Sequence, residues 1–179
     1  MRRVRYSVAM SLDGYIAGPQ GESDWIVMDP EIDFGSIFKE FDTLLLGRKT
    51  YESTRQQGGG PEMPGVQSYV FSRTLRPADC PGVTLSDSPE KTIAALKAAP
   101  GKDIWLFGGG SLFSSLLALG LVDTVEVGII PVLLGGGVPL LPHPATLATL
   151  RLEQHRVYDK TGTVSLAYAV ERKKARRQR

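Results

Sequence analysis

The sequence predicts an α/β fold: a largely parallel sheet covered by helices on both faces and closed by an antiparallel hairpin. Three observations predict it. Residues 103–119 pass from an apolar run, Ile104 to Phe107, through Gly108, Gly109 and Gly110 to Leu112, Phe113, Leu116 and Leu117 at helical spacing. Similar alternation of strand-like and helix-like stretches recurs from the first residues to about residue 131. The last two apolar runs, 150–157 and 163–170, flank Asp159-Lys-Thr-Gly162, which reads as a hairpin turn.

Residues 4–10 open the chain as a strand with Val4, Tyr6, Val8 and Met10 on one face. Its other face carries the small Ser7 and Ala9, a surface against which a flat ring can lie. Residues 11–21 are a long glycine-rich loop expected to be mobile, followed by Glu22-Ser-Asp-Trp-Ile26 and the acidic segment Asp29-Pro-Glu-Ile-Asp33. A helix is predicted over 32–41, burying Ile37, Phe38 and Phe41, and it feeds a buried strand over 43–47. That strand ends on Gly47-Arg-Lys-Thr-Tyr-Glu-Ser53, a second strand, glycine and helix start, here with the cations Arg48 and Lys49. Residues 56–65 read as an exposed Gly/Pro-rich loop, 67–71 as a strand ending at Ser72-Arg-Thr74, and 83–85 as a short strand. Ser88 is the predicted N-cap of a helix running toward Ala99, with Pro89 in its first position. After the 103–119 unit, 122–131 alternates as a long strand, and Val132-Leu-Leu-Gly-Gly-Gly-Val-Pro139 is a second triglycine turn without a clear helix behind it.

A chain of 179 residues that is 42% hydrophobic is expected to form one domain over 1–171, ahead of a tail, 172–179, in which six of eight residues are basic. Without the tail, 15 basic residues face 19 acidic ones, so nucleic acid is not an expected partner and the tail reads as a solvated terminus. The single cysteine, Cys80, excludes an intrachain disulfide framework and fits a reducing compartment. With neither a leader-like apolar segment nor a long apolar span, a cytoplasmic protein without membrane contact is expected. His143 and His155 lack metal-ligand spacing, so no metal site is expected.

The chemistry begins at the glycines. The first amides of a helix have no internal partner and carry the positive end of its dipole, so Gly108 to Ser111 offer a phosphate or pyrophosphate an approach unobstructed by side chains. The same glycines also suit a plain tight turn needing positive φ. Their spacing is not G-x-G-x-x-G, so a Rossmann domain is not supported. Ligands of parallel sheets bind beyond the carboxyl ends of the strands, where Gly47, Ser72 and Gly108 are all expected to lie, converging on one crevice.

Gly47-Arg-Lys-Thr-Tyr-Glu-Ser53, Phe71-Ser-Arg73 and Phe107-Gly-Gly-Gly-Ser-Leu112, in that order, resemble dihydrofolate reductase, and Ala9, Asp13-Gly-x-Ile16 and Trp25 fit the same template. Ser11-Leu-Asp-Gly14 with Gly21-Glu-Ser-x-Trp-Ile26, and Leu121-Val-Asp123 with Pro131-Val-Leu-Leu-Gly-Gly136, are similar to the reductase domain of the bacterial riboflavin-biosynthesis deaminase-reductase. The resemblance implies a dihydrofolate reductase-like three-layer sandwich, a mostly parallel mixed sheet with the C-terminal antiparallel hairpin.

It also implies an oxidoreductase using NADPH. Gly108, Gly109, Gly110, Ser111 and Leu112 would receive the pyrophosphate, and Gly47 and Thr50 belong to the same cofactor site. Arg48, Lys49, Ser72 and Arg73 supply the cations and donors that a 2′-phosphate needs, while Ala9 and Ile16 would lie against the nicotinamide. For protonation of the substrate the resemblance points by position to Asp33, with Glu31 in reserve, and to Asp13 from the riboflavin relative; Ser23 and Trp25 would line the substrate pocket. Asp33 and Glu31 also suit a helix N-terminus, Asp13 a turn, and Trp25 the core. The riboflavin reductase typically carries an acid where this chain has Phe107, which disfavours a ribosylaminopyrimidine and leaves a pteridine, pyrimidine or similar small heterocycle as the expected substrate. The riboflavin relative also implies a homodimer formed through C-terminal strands, for which the apolar run 127–141 is the candidate surface. The function classes to separate are therefore a heterocycle reductase, a riboflavin-pathway reductase and a nucleotide-binding module without turnover.

Overall fold

The structure is a computed structural model that describes residues 1–56, 58 and 63–171. Along the chain run β1 (Val4–Ser11), β2 (Tyr15–Ala17), α1 (Phe34–Phe38), β3 (Phe41–Gly47), α2 (Arg48–Gln56), β4 (Gln67–Phe71) and β5 (Thr84–Ser86). They are followed by α3 (Pro89–Ala98), β6 (Asp103–Gly108), α4 (Gly110–Ala118), β7 (Thr124–Ile130), β8 (Val138–Pro139), β9 (Leu150–Tyr158) and β10 (Thr163–Val170). The basic tail at 172–179 and most of the loop expected at 56–65 lie outside the described residues.

Eight strands form one mixed sheet in the order β5-β4-β3-β6-β1-β7-β10-β9. All pairings from β5 to β7 are parallel, and the β9–β10 hairpin joins β7 antiparallel. This is the α/β architecture that the sequence predicts. Alternation along each strand decides which layer covers which face. Val4, Tyr6, Leu45, Ile104 and Leu106 point to one face, where Ile93 and Leu96 of α3 and Phe113 and Leu116 of α4 bury them. Leu44, Leu46 and Val70 point to the other, packed with Tyr51 of α2 and the buried Cys80. On that second face Trp105 stacks on Phe38 of α1 at 5.3 Å between ring centroids and on Phe41 at 5.6 Å. No described helix is long and apolar enough to cross a membrane.

Three expectations are corrected. The helix expected over 32–41 is only Phe34–Phe38, and Phe41 begins β3 instead. Phe41 pairs with Asp103, is 3% exposed and lies under the Arg5 guanidinium at 4.7 Å, so long-range packing outweighs its helical spacing. The loop over 11–21 is not free: β2 pairs antiparallel with β8, which the second triglycine turn delivers. Gly137, at φ +140°, makes this possible, because a Cβ there would overlap the Ala17 carbonyl. Of the run 127–141, expected to supply a dimer surface, residues 127–130 are taken up by β7 inside the sheet between β1 and β10.

Tyr6 is fully buried, stacks on Phe113 at 4.0 Å, and its hydroxyl has no hydrogen-bond partner among the described residues. Burial alone pushes its ionisation far above the usual tyrosine value. Replacing Tyr6 by Phe removes the orphaned hydroxyl and keeps the ring. It is expected to leave stability unchanged or raise it by about 1 kcal/mol in a denaturant titration; a loss of similar size would reveal a hidden partner.

Candidate cofactor and substrate site

The site begins where two central strands part. β1 pairs with β6 only from Val4↔Ile104 to Tyr6↔Leu106, yet continues beside β7 as far as Ser11↔Ile130. Where the β1–β6 ladder stops, the Trp105 indole N–H donates to the Ser7 carbonyl at 3.0 Å, satisfying an acceptor at the parting. On the other side of β6, Leu45 pairs with Leu106 and Leu46 with Gly108, so Phe107 is bulged out. It stands 38% exposed, edge-on to Trp105.

Next to this parting, the glycine turns of β3 and β6 meet. A Cβ on Gly47 would lie 3.6 Å from the Leu112 Cβ and 3.7 Å from the Gly108 carbonyl, and one on Gly109 would lie 3.1 Å from the Thr50 hydroxyl. Gly108 has φ +137°, and its peptide bond to Gly109 is cis. α4 starts at Gly110 with Gly109 as N-cap, so no side chain closes off its first amides. Gly110 is pressed beneath the 139–142 segment: a Cβ there would stand 2.7 Å from the Pro139 carbonyl.

The cations fall into two groups. Arg48 pairs with Glu52 one turn along α2, at 3.0 Å. Lys49 and Arg73 are exposed and make no ion pair among the described residues. β4 ends at Phe71 opposite Gly47, so Ser72 and Arg73 follow beside the glycine turns. The Ser72 hydroxyl accepts the Thr74 and Leu75 N–H groups at 3.1 and 3.0 Å, which ties this turn down. Gly47, Arg48, Lys49, Thr50, Ser72 and Gly108 to Leu112 therefore lie at one end of the sheet, at the carboxyl ends of β3, β4 and β6. At the opposite end lies a hollow whose lining includes Arg2, Asp42, Thr43 and Thr92, and there Arg2 donates to the Lys102 and Leu96 carbonyls and pairs with Asp42.

The acids of the N-terminal segment are already engaged. Asp13 accepts from the Ser11 hydroxyl at 2.7 Å and from the Leu134 and Gly135 N–H groups at 3.1 and 2.7 Å, pinning the second triglycine turn. Asp33 is the N-cap of α1, accepting from the Ser36 N–H and hydroxyl at 2.9 and 2.6 Å. Glu31 is shared by Arg156 and Lys160, both at 3.4 Å. Ser23 is exposed, and the half-buried Trp25 donates its indole N–H to the Glu22 carbonyl at 3.2 Å. Ala9 lies on β1 past the parting, and Ile16 lies on β2. Sequence reasoning passed over Asp29, the one carboxylate of the acidic segment that folds inside, at 2% exposure. It accepts the Glu31 N–H at 2.8 Å and the Thr161 hydroxyl at 2.9 Å, joining this segment to the β9–β10 turn. Nothing in its sequence context separates it from Asp33. Among the described residues no cluster of His, Cys, Asp or Glu could hold a metal ion.

This arrangement, an open helix start beside two glycine turns at the carboxyl ends of parallel strands, defines an α/β fold with its candidate site at the end where such sheets bind ligands. More particularly, residues 2–164 match the RibD C-terminal domain, and the chain belongs to that family. It is 36% identical over 178 residues to the uncharacterized protein YyaP of Bacillus subtilis, covering 93% of this chain and 94% of that one. The crystal structure of a putative riboflavin biosynthesis protein from Shewanella sp. PV-4 superimposes with a TM-score of 0.79 at 26% identity, over 96% of this chain and 100% of that one. Dihydrofolate reductase from Enterococcus faecalis, complexed with NADP(H) and RAB-propyl, has a TM-score of 0.69 at 19% identity over 95% of this chain and 97% of its own, a likeness of fold. The resemblance read from the motifs is thus borne out at the level of family and fold.

Two outcomes test the geometry. Hydrogen bonds hold Asp13 below its ordinary carboxylate value, that of Ser11 foremost, and Ser36 does the same for Asp33. For Asp29 burial pushes upward, but the Glu31 N–H, Thr161 and Lys160 outweigh it and the net shift is downward. A carboxylate lowered on folding adds stability above about pH 4 and loses it as pH falls through the folded-state value. The thermal midpoint should therefore drop steeply below about pH 4, and less steeply in Asp13→Asn. Gly110→Ala, driven against the Pro139 carbonyl, should cost about 1–3 kcal/mol in a denaturant titration.

Proposed function

We propose that this protein is an NADPH-dependent reductase that transfers a hydride to a pteridine, pyrimidine or similar small heterocycle. The observation that carries this reading is the meeting of the Gly47 and Gly108–Gly109 turns under the Thr50 hydroxyl, at the uncapped start of α4. Such a cradle fits a pyrophosphate: a Cβ at Gly109 would press on Thr50, and the first amides of α4 have no side-chain partner. Lys49 and Arg73, which make no ion pair among the described residues, are available to a 2′-phosphate, with Ser72 alongside and Arg48 available once released from Glu52. When bound, the cofactor supplies the hydride. The chain's own part is to orient it, with Ala9 and Ile16 against the nicotinamide, and to help a proton reach the substrate. Asp33 and Asp13 are the proposed acids for that proton. Asp33 is the better placed to move, since both its bonds go to one exposed serine. Ser23, Trp25 and Glu31 are proposed to line the substrate side.

A riboflavin-pathway reductase is the second reading, favoured by the family match and the Shewanella likeness. Phe107, apolar and 38% exposed where the riboflavin reductase typically carries an acid, speaks against a ribosylaminopyrimidine substrate. We further propose a cytoplasmic homodimer. Leu150, Leu152 and Val157 of the edge strand β9 are 39%, 47% and 57% exposed and supply an apolar surface for it, whereas the interior β7 does not.

Titration by nicotinamide fluorescence should show NADPH binding more tightly than NADH. Arg73→Gln should erase about tenfold or more of that preference, and Glu52→Gln, which frees Arg48, should increase it. Equal binding of the two cofactors would sink the 2′-phosphate assignment. Turnover of dihydrofolate against a ribosylaminopyrimidine chooses between the two enzymes, and tight NADPH binding without oxidation by any acceptor would mark a binding module. Leu152→Glu should shift a dimer to monomer in sedimentation while leaving NADPH affinity intact.

A further inference from the structure

Between residues 19 and 40 a single residue is buried, and it is a carboxylate. Asp29 is 2% exposed, whereas Val27 and Met28 just before it are 57% and 63% exposed, and Trp25, Ile26 and Ile32 are half-buried. A segment is ordinarily fastened to a fold by apolar side chains, because a buried charge is costly unless hydrogen bonds compensate it. Here burial disfavours the charge of Asp29, but the Glu31 N–H, the Thr161 hydroxyl and backbone N–H, and Lys160 outweigh it. The two oxygens are divided: Oδ1 accepts the Glu31 N–H at 2.8 Å, and Oδ2 accepts the Thr161 hydroxyl at 2.9 Å. That hydroxyl also meets the hydroxyl of Thr163 at 2.8 Å, and Thr163, the first residue of β10, is itself 2% exposed.

The other ties of the segment lead to the same place. Among the described residues, every hydrogen bond and ion pair joining residues 23–33 to a part of the chain outside 22–37 ends on the β9–β10 hairpin. Thr161 holds Asp29, and Arg156 and Lys160 hold Glu31. These ties are unequal. The side chains of Arg156, Lys160 and Glu31 are 56%, 61% and 47% exposed and both pairs stand at 3.4 Å, where solvent and salt screen most of the attraction. Asp29 meets Thr161 inside the fold, where a hydrogen bond is stronger.

We propose that Asp29 is a positioning residue for the substrate side: its bond to Thr161 holds residues 23–33 against the β9–β10 hairpin, and with them Ser23, Trp25, Glu31 and Asp33. For what it says of substrate, this deepens the reductase reading and rests on it. Asp29 meets no substrate itself and acts through the segment. The glycine turns of β3 and β6 share no hydrogen bond or ion pair with residues 23–33 among the described residues, so loosening Asp29 reaches the substrate side and leaves NADPH binding alone. Asparagine cannot replace it, since an amide accepts at only one of the two oxygen positions and meets a donor with a donor at the other.

Amide hydrogen exchange read by mass spectrometry, on the full chain with NADPH bound, tests the anchor. Asp29→Asn and Thr161→Val should each speed exchange over residues 29–33 by about tenfold, with α3 and α4 unchanged as proof of folding. Thr161→Ser, which keeps the hydroxyl, should stay within about twofold of the unmodified protein. The two loosening variants combined should add little to either alone, because both remove one bond. Raising NaCl from about 0.05 M to about 0.5 M should leave the exchange within about twofold, since the screened pairs are not the anchor. In steady-state kinetics with dihydrofolate or a ribosylaminopyrimidine, whichever the protein reduces, Asp29→Asn should raise KM by about tenfold while NADPH affinity stays within about twofold, and Thr161→Ser should match the unmodified protein. Exchange indifferent to Asp29→Asn, loosening by salt to the same extent, equal behaviour of Thr161→Ser and Thr161→Val, or an unaltered KM would each overturn the proposal. NADPH left unbound, or oxidised by neither acceptor, would instead overturn the reductase reading and confine Asp29 to holding the segment, which the exchange reads independently.

Discussion

The structure depends on the place where the β1–β6 ladder stops. Two parallel strands buried on both faces would normally run paired to their ends, because an unpaired backbone group in the interior costs as much as a lost hydrogen bond. Here β1 leaves β6 after Tyr6 and Leu106, the Trp105 indole satisfies the Ser7 carbonyl, and Phe107 bulges away on the far side. The glycine turns of β3 and β6 and the continuation of β1 lie beside that parting, at the carboxyl ends of parallel strands.

The N-terminal segment and the second triglycine turn are held by carboxylates. Asp13 fastens the second triglycine turn through two backbone amides, Asp29 fastens the acidic segment to the β9–β10 turn, and Asp33 starts α1. Each has its ionised form favoured by hydrogen bonds, which makes these links firm near neutral pH and loosens them in acid. A chain segment rich in glycine and proline thus becomes an ordered border without a hydrophobic core of its own. Gly137 completes it by allowing β8 to approach the Ala17 carbonyl.

The glycine turns at the carboxyl ends of the parallel strands were largely legible in the sequence because they are built from local rules. A strand followed by glycine and a helix start can be read from neighbours in the chain, and three such ends of parallel strands must lie at the same end of a sheet, as Gly47, Ser72 and Gly108 do. The acidic segment was not legible in the same way. Asp29, Glu31 and Asp33 are spaced alike and look alike, and only contacts made across 125 and 132 residues, to Arg156 and Thr161, separate a surface ion pair from a buried anchor. The predicted helix over 32–41 failed for a related reason: Phe41 obeys helical spacing but is drawn into β3 by Trp105 and Arg5.

By itself the sequence determined the α/β class, the order of elements, the closing hairpin and the glycine turns, since each follows from periodicity and backbone freedom within a short stretch. Tertiary structure decided which face each strand presents to which layer, where the β1–β6 ladder ends, and that Ala9, Gly128, Ser165 and Arg156 stand abreast. Those residues lie on four different strands and are brought together only by pairing register. Register is a property of the whole sheet, set where buried side chains must interlock, and no single stretch of the chain encodes it.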